Sequence, residues 1–138
     1  MMIRRNQEKR RQERQQTQQA WERLEILGNR GRYAPPPRDE CEERKAPYML
    51  HIAQAYPQVR QWRQAGRLVE FAIQLDDALG RRVLEIDCKH GHVHAHHFAA
   101  DGSKGEPVHI HPLEEVTDLN EGLRLAIAYV VTHAERSR

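Results

Sequence analysis

The sequence contains no apolar run of 18 residues or more, and aromatic residues make up only 6% of its 138 positions. A membrane-spanning helix needs about 20 mostly apolar residues, so none is expected. The basic N-terminus, MMIRRNQEKRRQER, has no apolar stretch behind it and is therefore not expected to be a secretory signal. Two cysteines, Cys41 and Cys88, set no disulfide framework. These absences predict a cytoplasmic protein with no membrane partner.

Positive charge is concentrated at the N-terminus, although the net charge is only +2. Residues 1–32 carry nine Lys or Arg against four Asp or Glu, whereas residues 33–138 carry thirteen against sixteen. Gln, Arg and Glu are good helix formers, so residues 3–27 are predicted to be helical. A basic helix of this kind can contact nucleic acid or an acidic partner, or it can serve as a solvated surface. The candidate nucleic-acid-binding residues are Arg4, Arg5, Lys9, Arg10, Arg11, Arg14 and, further along the chain, Lys89.

The next segments suggest where the folded domain begins. The stretch GNRG at residues 28–31 is expected to end the helix, and APPPRDE at residues 34–40 is expected to be a stiff linker. We therefore predict a basic arm and linker at residues 1–38 and one domain at residues 39–138. Within that domain, residues 47–66 have apolar side chains at helical spacing. They predict one or two short helices ending at Gly66.

Four segments with a period of two follow, and this period is typical of strands. They are residues 68–75, 81–88, 92–99 and 107–111, separated by the turn-forming stretches DDALG, HG and DGSKG. Asp118 and Glu121 then form a capping-box pattern at the start of a C-terminal helix. The sequence therefore predicts an α+β fold, with a four-stranded antiparallel meander packed on a C-terminal helix and helical N-terminal segments.

The turn lengths predict which side chains are neighbours across the sheet. A two-residue turn at His90–Gly91 places Asp87 opposite His94 and Glu85 opposite His96. A four-residue loop at residues 101–104 would place His96 opposite His109 and His94 opposite His111. A turn at residues 77–80 would complete two polar rows on one face. The predicted rows are Glu70–Asp87–His94–His111 and Ala72–Glu85–His96–His109, with His92 at the rim and His97 on the opposite, apolar face.

Such a polar face can support acid–base chemistry. Imidazole exchanges protons near neutral pH, and a neighbouring carboxylate orients the ring and holds its proton. Two such histidines could cleave RNA without a metal, one activating the 2′-hydroxyl group and the other protonating the leaving oxygen. The predicted catalytic residues are His94 with Asp87 and His96 with Glu85, supported by His109 and His111.

The same histidines allow two other interpretations. A His-x-His pair on a strand points two imidazoles to one side, which suits Zn²⁺ or another divalent transition metal. The metal-ligand candidates are His92, His94, His96, His109 and His111. Alternating polar residues are also expected on any half-exposed sheet, so the face could have no chemical role.

The stretch EIDCKHGHVHAHHFAADG, followed by a short strand and a helix, resembles the TumE-type toxins of bacterial toxin–antitoxin systems. Asp87 matches the family's strand-ending Asp, Gly91 its turn glycine, and His94 and His96 its His-x-His. Cys88 stands where the family usually has Asn, and the turn is shorter here. The resemblance covers roughly residues 68–131. It implies a cytoplasmic growth-inhibiting toxin that acts on RNA and has a protein antitoxin as partner.

We therefore expect a toxin-like, metal-independent ribonuclease without a cofactor. The alternative is a non-catalytic module that binds nucleic acid or protein and has a histidine-rich sheet face able to hold a metal.

Overall fold

A computed structural model of the chain describes residues 7–12, 14–15, 18–19, 31–47 and 57–136. These residues form an α+β fold with one antiparallel sheet and a C-terminal helix, as predicted. The sheet has six strands, not four, in the order β1-β2-β3-β4-β5-β6. Their bounds are Glu42–Pro47, Gln58–Gln64, Arg67–Asp76, Arg82–Asp87, His92–His97 and Val108–Pro112, and the helix spans Asp118–Arg136.

The helices predicted over residues 47–66 are wrong for the part of that range that the structure describes. Residues 58–64 form β2, in which Val59 and Trp62 are buried. Ala65 and Gly66 both have positive φ, so they form the two-residue turn that joins β2 to β3. Gly66 fits the predicted helix end equally well in the sequence, because a left-handed glycine serves both purposes. Residues 48–56 lie outside the described residues.

The four strands expected after residue 66 are confirmed as β3 to β6. One face of the sheet packs on the C-terminal helix, and Leu119 and Val130 of that helix are buried there. The helix does not form the predicted capping box. Instead, the Asp118 carboxylate accepts hydrogen bonds from the backbone of Glu114 and Glu115, both at 2.9 Å. The core residues on and beside the strands are Phe71, Ile73, Leu75, Leu84, Ile86, Cys88, Val93 and Ala95.

The segment Gly31–Tyr33 is attached to the sheet through its backbone. The Gly91 carbonyl oxygen accepts hydrogen bonds from the N–H groups of Gly31 and Leu113, at 2.7 and 3.0 Å. Tyr33 donates its backbone N–H to the Leu113 carbonyl at 3.0 Å and its hydroxyl to the Val69 carbonyl at 2.5 Å. Burial raises the pKa of Tyr33 to about 12, so its hydroxyl remains a donor. The predicted linker is thus preceded by residues that pack against the domain.

Among the described residues of the N-terminal arm, 7–12, 14–15 and 18–19 are helical. The described part of the chain contains no helix that is both long and apolar enough to cross a membrane.

Candidate functional site

The β4–β5 hairpin sets the position of the first two histidines. His90 and Gly91 have φ values of 60° and 74°, which is the two-residue turn predicted for them. Because the turn fixes the register, Asp87 lies opposite His94 and Glu85 lies opposite His96. Both predicted carboxylate–histidine pairings of backbone positions are therefore confirmed.

Asp87 and His94 form a direct contact. The Nε2 of His94 lies 2.6 Å from Oδ1 of Asp87, and the two side chains are 2% and 18% exposed. Burial raises the pKa of Asp87, but the hydrogen bond and charge of His94, together with Lys89, lower it more, and the net pKa lies below its ordinary value. The other ring nitrogen of His94 lies 3.4 Å from the His92 carbonyl oxygen. Oxygen acceptors therefore face both ring nitrogens of His94.

Glu85 and His96 are paired through their backbones, but the structure gives their side chains different partners. The Glu85 carboxylate lies 2.6 Å from Arg82 and 3.5 Å from Lys104. The Nδ1 of His96 lies 2.8 Å from the Gly105 carbonyl oxygen, so this nitrogen donates. Burial lowers the pKa of His96, and the Gly105 hydrogen bond only partly offsets that effect. Glu85 thus neutralises nearby cations.

The predicted pairing between β5 and β6 is wrong. His94 lies opposite His109, and His111 lies opposite Val93. The turn between β5 and β6 is shorter than the four-residue loop expected at residues 101–104. The Ala99 N–H donates a hydrogen bond to the Ser103 carbonyl oxygen at 2.9 Å, so the turn contains only residues 100–102. A register shift between Val93 and His94 then turns His111 toward the helix side.

The pairing of β3 with β4 also differs from the predicted one by two residues. Ala72 lies opposite Asp87 and Gln74 opposite Glu85, with a register shift between Leu75 and Asp76. The predicted polar rows are therefore corrected to Ala72–Asp87–His94–His109 and Gln74–Glu85–His96. These side chains stay on one face because a shift of two residues leaves each side chain on its original side.

His92 is buried, contrary to the predicted position at the rim. It has no exposed surface, and His94 and His96, with backbone and side chain counted together, are only 1% and 5% exposed. The Nδ1 atoms of His92 and His109 lie 3.3 Å apart, and their rings are stacked at 28° with centroids 5.3 Å apart. Burial lowers the pKa of His109, as do the charges of His111 and His94. Three residues of β5 and one of β6 thus form a compact histidine cluster, comprising His92, His94, His96 and His109.

Sequence reasoning missed an arginine that interacts with Asp87, the partner of His94. Arg38 forms a bidentate pair with Glu70, with its shortest contact at 2.6 Å. Its guanidinium also lies 4.0 Å from the ring centroid of Trp62, and it interacts electrostatically with Asp87. A signal existed in the sequence, because Glu70 interrupts the apolar stretch LVEFAIQL and a buried carboxylate requires a partner.

The metal-ligand candidates do not form a site among the residues that the structure describes. No group of three or more His, Cys, Asp or Glu in that part of the chain could hold a metal ion. His111 lies beyond the strand shift, opposite Val93, and the Nε2 of His94 contacts Asp87. His92 and His109 bring two ring nitrogens close together, but two nitrogens are too few for a metal site.

The other histidine and cysteine near the sheet belong to the helix side. His97 lies opposite Leu84, as expected for the apolar face, and its Nε2 is 2.5 Å from the Tyr129 hydroxyl. Burial lowers the pKa of His97, and the charge of His133 adds to that effect. Cys88 is fully buried, its thiol donates to the Phe71 carbonyl, and burial raises its pKa well above the ordinary value. This thiol is therefore poorly suited to be a nucleophile.

The nucleic-acid candidates on the arm are described only in part. Lys9, Arg10, Arg11 and Arg14 are helical and exposed, and Arg4 and Arg5 lie outside the described residues. Lys89 is exposed beside the β4–β5 turn, close enough to Asp87 to affect its charge.

No protein-family model, curated protein or solved structure matches this chain.

Proposed function

We propose that this protein is a small toxin-like ribonuclease that cleaves RNA by metal-independent acid–base catalysis. The contact of 2.6 Å between Asp87 and His94, with His109 on the adjacent strand opposite His94, carries the proposal. The similarity of residues 87–96 to TumE-type toxins supports the toxin class, with RNA as substrate and a protein antitoxin as partner.

The two histidines are suited to different roles. His109 is half-buried and its lowered pKa keeps the ring neutral at pH 7, so it can accept a proton as general base. His94 has an oxygen acceptor at each ring nitrogen. When this ring carries both protons and the substrate displaces the contact of 3.4 Å between Nδ1 and the His92 carbonyl oxygen, Nδ1 can donate as general acid while Asp87 balances the charge.

The reaction would proceed by transfer within the RNA strand. His109 takes the proton of the 2′-hydroxyl group, whose oxygen attacks the adjacent phosphorus. The bond from phosphorus to the 5′-oxygen breaks, and that oxygen takes a proton from His94. The products are a 2′,3′-cyclic phosphate and a 5′-hydroxyl end. Arg38, 46% exposed, and Lys89, exposed beside the β4–β5 turn, both interact electrostatically with Asp87. They are the cations that we propose stabilise the developing phosphorane charge.

The test is cleavage of a single-stranded RNA oligonucleotide by purified protein in the presence of EDTA, together with growth of cells that express it. Positioned acid–base groups contribute typically about 10² to 10⁴-fold to rate. His94→Ala and His109→Ala should each slow cleavage by about 10²-fold or more and relieve growth inhibition. His96→Ala should have a smaller effect, because Nδ1 of His96 is held by the Gly105 carbonyl oxygen and the proposed reaction assigns no proton transfer to this ring. Unchanged cleavage and toxicity after His94→Ala and His109→Ala would eliminate the ribonuclease proposal.

A matched control is His133→Ala. His133 is a half-buried histidine beside His97 on the helix side of the sheet. This variant should cleave RNA at the wild-type rate. Thermal unfolding followed by circular dichroism should show that each variant is folded at the assay temperature.

A second function, binding without catalysis, is favoured by the near-complete burial of His92, His94 and His96. In that case the cluster would stabilise a surface that contacts nucleic acid or protein, and its variants would lower the melting temperature without affecting any cleavage. Metal analysis of tag-free protein tests the related metal alternative, because a stoichiometric ion would contradict metal-independent chemistry.

A further inference from the structure

Six residues, one from each strand, lie in a single row across the face of the sheet that carries His94. Asp87 lies opposite Ala72 on one side and opposite His94 on the other, and the line of paired positions continues to both edges of the sheet. The full row is Lys45, Arg60, Ala72, Asp87, His94 and His109. Because neighbouring strands lie about 4.8 Å apart, the row spans about 24 Å. The proposed catalytic histidines are thus at one end and two cations are at the other.

The end of the row at β1 and β2 offers N–H donors to an anion. Lys45 is exposed, and the Arg60 side chain is 31% exposed. Arg60 donates to one carboxylate oxygen of Glu43 through Nε and Nη2, at 2.9 and 2.7 Å, and within the described part of the chain its Nη1 makes no such bond. The N–H groups of Nη1 can therefore bind an anion while the pair with Glu43 remains intact.

Trp62 brings a third cation to the same end of the face. The guanidinium groups of Arg38 and Arg60 lie 4.0 and 5.0 Å from the centroid of its ring. Arg38 is paired with Glu70, so each arginine has one carboxylate partner. Lys45 adds a positive charge beyond these two pairs. Among these side chains the excess charge is therefore positive, which complements the phosphates of a nucleic acid.

Ala72 forms the middle of the row. It is half-buried, and its side chain ends at Cβ, whereas its neighbours on the same face of β3, Glu70 and Gln74, are longer. The row therefore has a low point between the cations and Asp87, over which a chain can pass. One strand of a nucleic acid has a phosphate about every 3.4 Å or more along its axis, so several phosphates fit within the row.

We propose that Lys45 and Arg60 bind backbone phosphates of a single RNA strand that lies along this row, a few nucleotides from the bond that is cut. Ammonium and guanidinium groups both suit phosphate oxygens. Such contacts position a nucleic acid but read no base, so this subsite should bind RNA of any sequence. The inference rests on the proposed cleavage at His94 and His109 for the position of the cut, but binding can be measured with RNA that cannot be cleaved.

The test compares two adjacent basic residues of β1 whose side chains point to opposite faces of the sheet. Lys45 belongs to the row, whereas Arg44 lies on the other face, 61% exposed and 3.5 Å from Glu42. The probe is a fluorescein-labelled 2′-O-methyl RNA decamer, which lacks the attacking hydroxyl group. By fluorescence anisotropy, Lys45→Gln should weaken binding by about fivefold or more and reduce the salt dependence of log Kd by about 0.7 to 1. Arg44→Gln should bind the decamer as the wild-type protein does.

A second substitution and two controls complete the binding experiment. Arg60→Gln should add to the loss seen in Lys45→Gln, and thermal unfolding should show that each variant is folded at the assay temperature. Equal losses in Lys45→Gln and Arg44→Gln would indicate diffuse attraction only and would overturn the inference. A wild-type protein that does not bind the decamer would also overturn it. So would tighter binding of a hexaglutamate peptide, because the row would then be a protein-binding surface.

Cleavage of unmodified RNA separates this inference from the proposed function. With a decamer, Lys45→Gln should raise KM rather than lower kcat, because the contact is made equally in the ground state and the transition state. A dinucleotide is too short to reach from His94 to Lys45 and should show no rise in KM. If the decamer binds as expected but is never cleaved, the ribonuclease proposal fails and the phosphate subsite stands. If RNA is cleaved but Lys45→Gln and Arg44→Gln bind it equally well, the subsite fails alone.

Discussion

At the scale of single residues, the fold is sensitive to a Cβ atom added at Gly91 and to the loss of the charge that balances Glu70. Gly91 has φ of 74°, and a Cβ there would lie 2.0 Å from the carbonyl oxygen of Gly31. Glu70 is 5% exposed and has its charge balanced by Arg38. The sequence pattern identified the Gly91 turn because a two-residue hairpin needs positive φ. It could not identify the approach of Gly31, since nothing in local sequence specifies a contact between segments so far apart in the chain.

Gly91→Ala should lower the free energy of unfolding by about 3 kcal/mol or more. Left-handed backbone costs a non-glycine residue about 1–3 kcal/mol, and the overlap with Gly31 forces the backbone to move as well. Gly102→Ala is the matched control, because Gly102 also has positive φ but nothing lies within 4 Å of the position that a Cβ would take there. It should lose only about 1 kcal/mol. Equal losses in urea unfolding would show that Gly31 is not in contact.

Arg38→Ala should destabilise the protein by about 2 kcal/mol, since Glu70 then remains buried without its cation. Arg38 is about half exposed, so the loss should be smaller than for a fully buried pair. The double variant Arg38→Ala with Glu70→Gln should be more stable than Arg38→Ala alone, because it removes the uncompensated charge. Chemical denaturation of the three proteins measures both steps. A double variant less stable than Arg38→Ala would contradict this account.

At the scale of helices and strands, period and turn chemistry predicted β3 to β6, the C-terminal helix and the β4–β5 register, all of which are confirmed. They failed for β2, since Val59 and Trp62 have the spacing of three that is typical of a helix, and in the strand they are buried on opposite faces of the sheet. They also failed for two of the three registers, because neither the shorter turn between β5 and β6 nor the register shifts beside Leu75 and Val93 have a sequence signal of their own. Consequently Asp87 with His94 could be predicted, whereas His109 opposite His94 could not.

Gly122 shows how closely the helix packs on the sheet. A Cβ at Gly122 would lie 2.8 Å from Cγ2 of Val93. In the wild-type background, Gly122→Ala should destabilise by about 1 kcal/mol, because overpacking by about 1–3 kcal/mol exceeds the gain of about 1 kcal/mol in helix propensity. In a Val93→Ala background the same substitution should stabilise by about 1 kcal/mol, since the obstructing methyl group is gone. A double-mutant cycle measures this change of sign, and an effect of the same sign in both backgrounds would refute it.

At the scale of the whole molecule, buried titratable groups make stability depend on pH. Burial lowers the pKa of His97, and the same is true of His96 and His109. At pH values below 6.5, the ordinary pKa of histidine, the unfolded chain therefore binds protons more readily than the folded protein does. The lowered pKa of Asp87 adds a second dependence at more acidic pH, below its ordinary value of 3.8. The three histidines and Asp87 thus affect stability in separate pH ranges.

The free energy of unfolding should be constant above about pH 7 and should fall as pH drops below 6.5, through the lowered histidine pKa values. It should fall again below pH 3.8, because the carboxyl group of Asp87 takes up its proton at a higher pH in the unfolded chain than in the folded protein. Urea denaturation from about pH 8 to about pH 3 measures the curve. His97→Gln keeps a partner for the Tyr129 hydroxyl but does not titrate, so the free energy of unfolding should fall less steeply below pH 6.5 in this variant. Stability that rises as the pH falls from 6.5 toward about 5 would contradict the histidine contribution.

The order of the strands has a consequence for the speed of folding. Each strand pairs with the strand next to it in the chain, so most of the sheet can form from hairpins that close over few residues. Short-range contacts of this kind have a low entropic cost of closure and permit rapid folding. The hydrogen bond from Tyr33 to Leu113 joins residues 80 positions apart. We therefore expect the hairpins to form first, with docking of residues 31–33 as the later step that completes the native state.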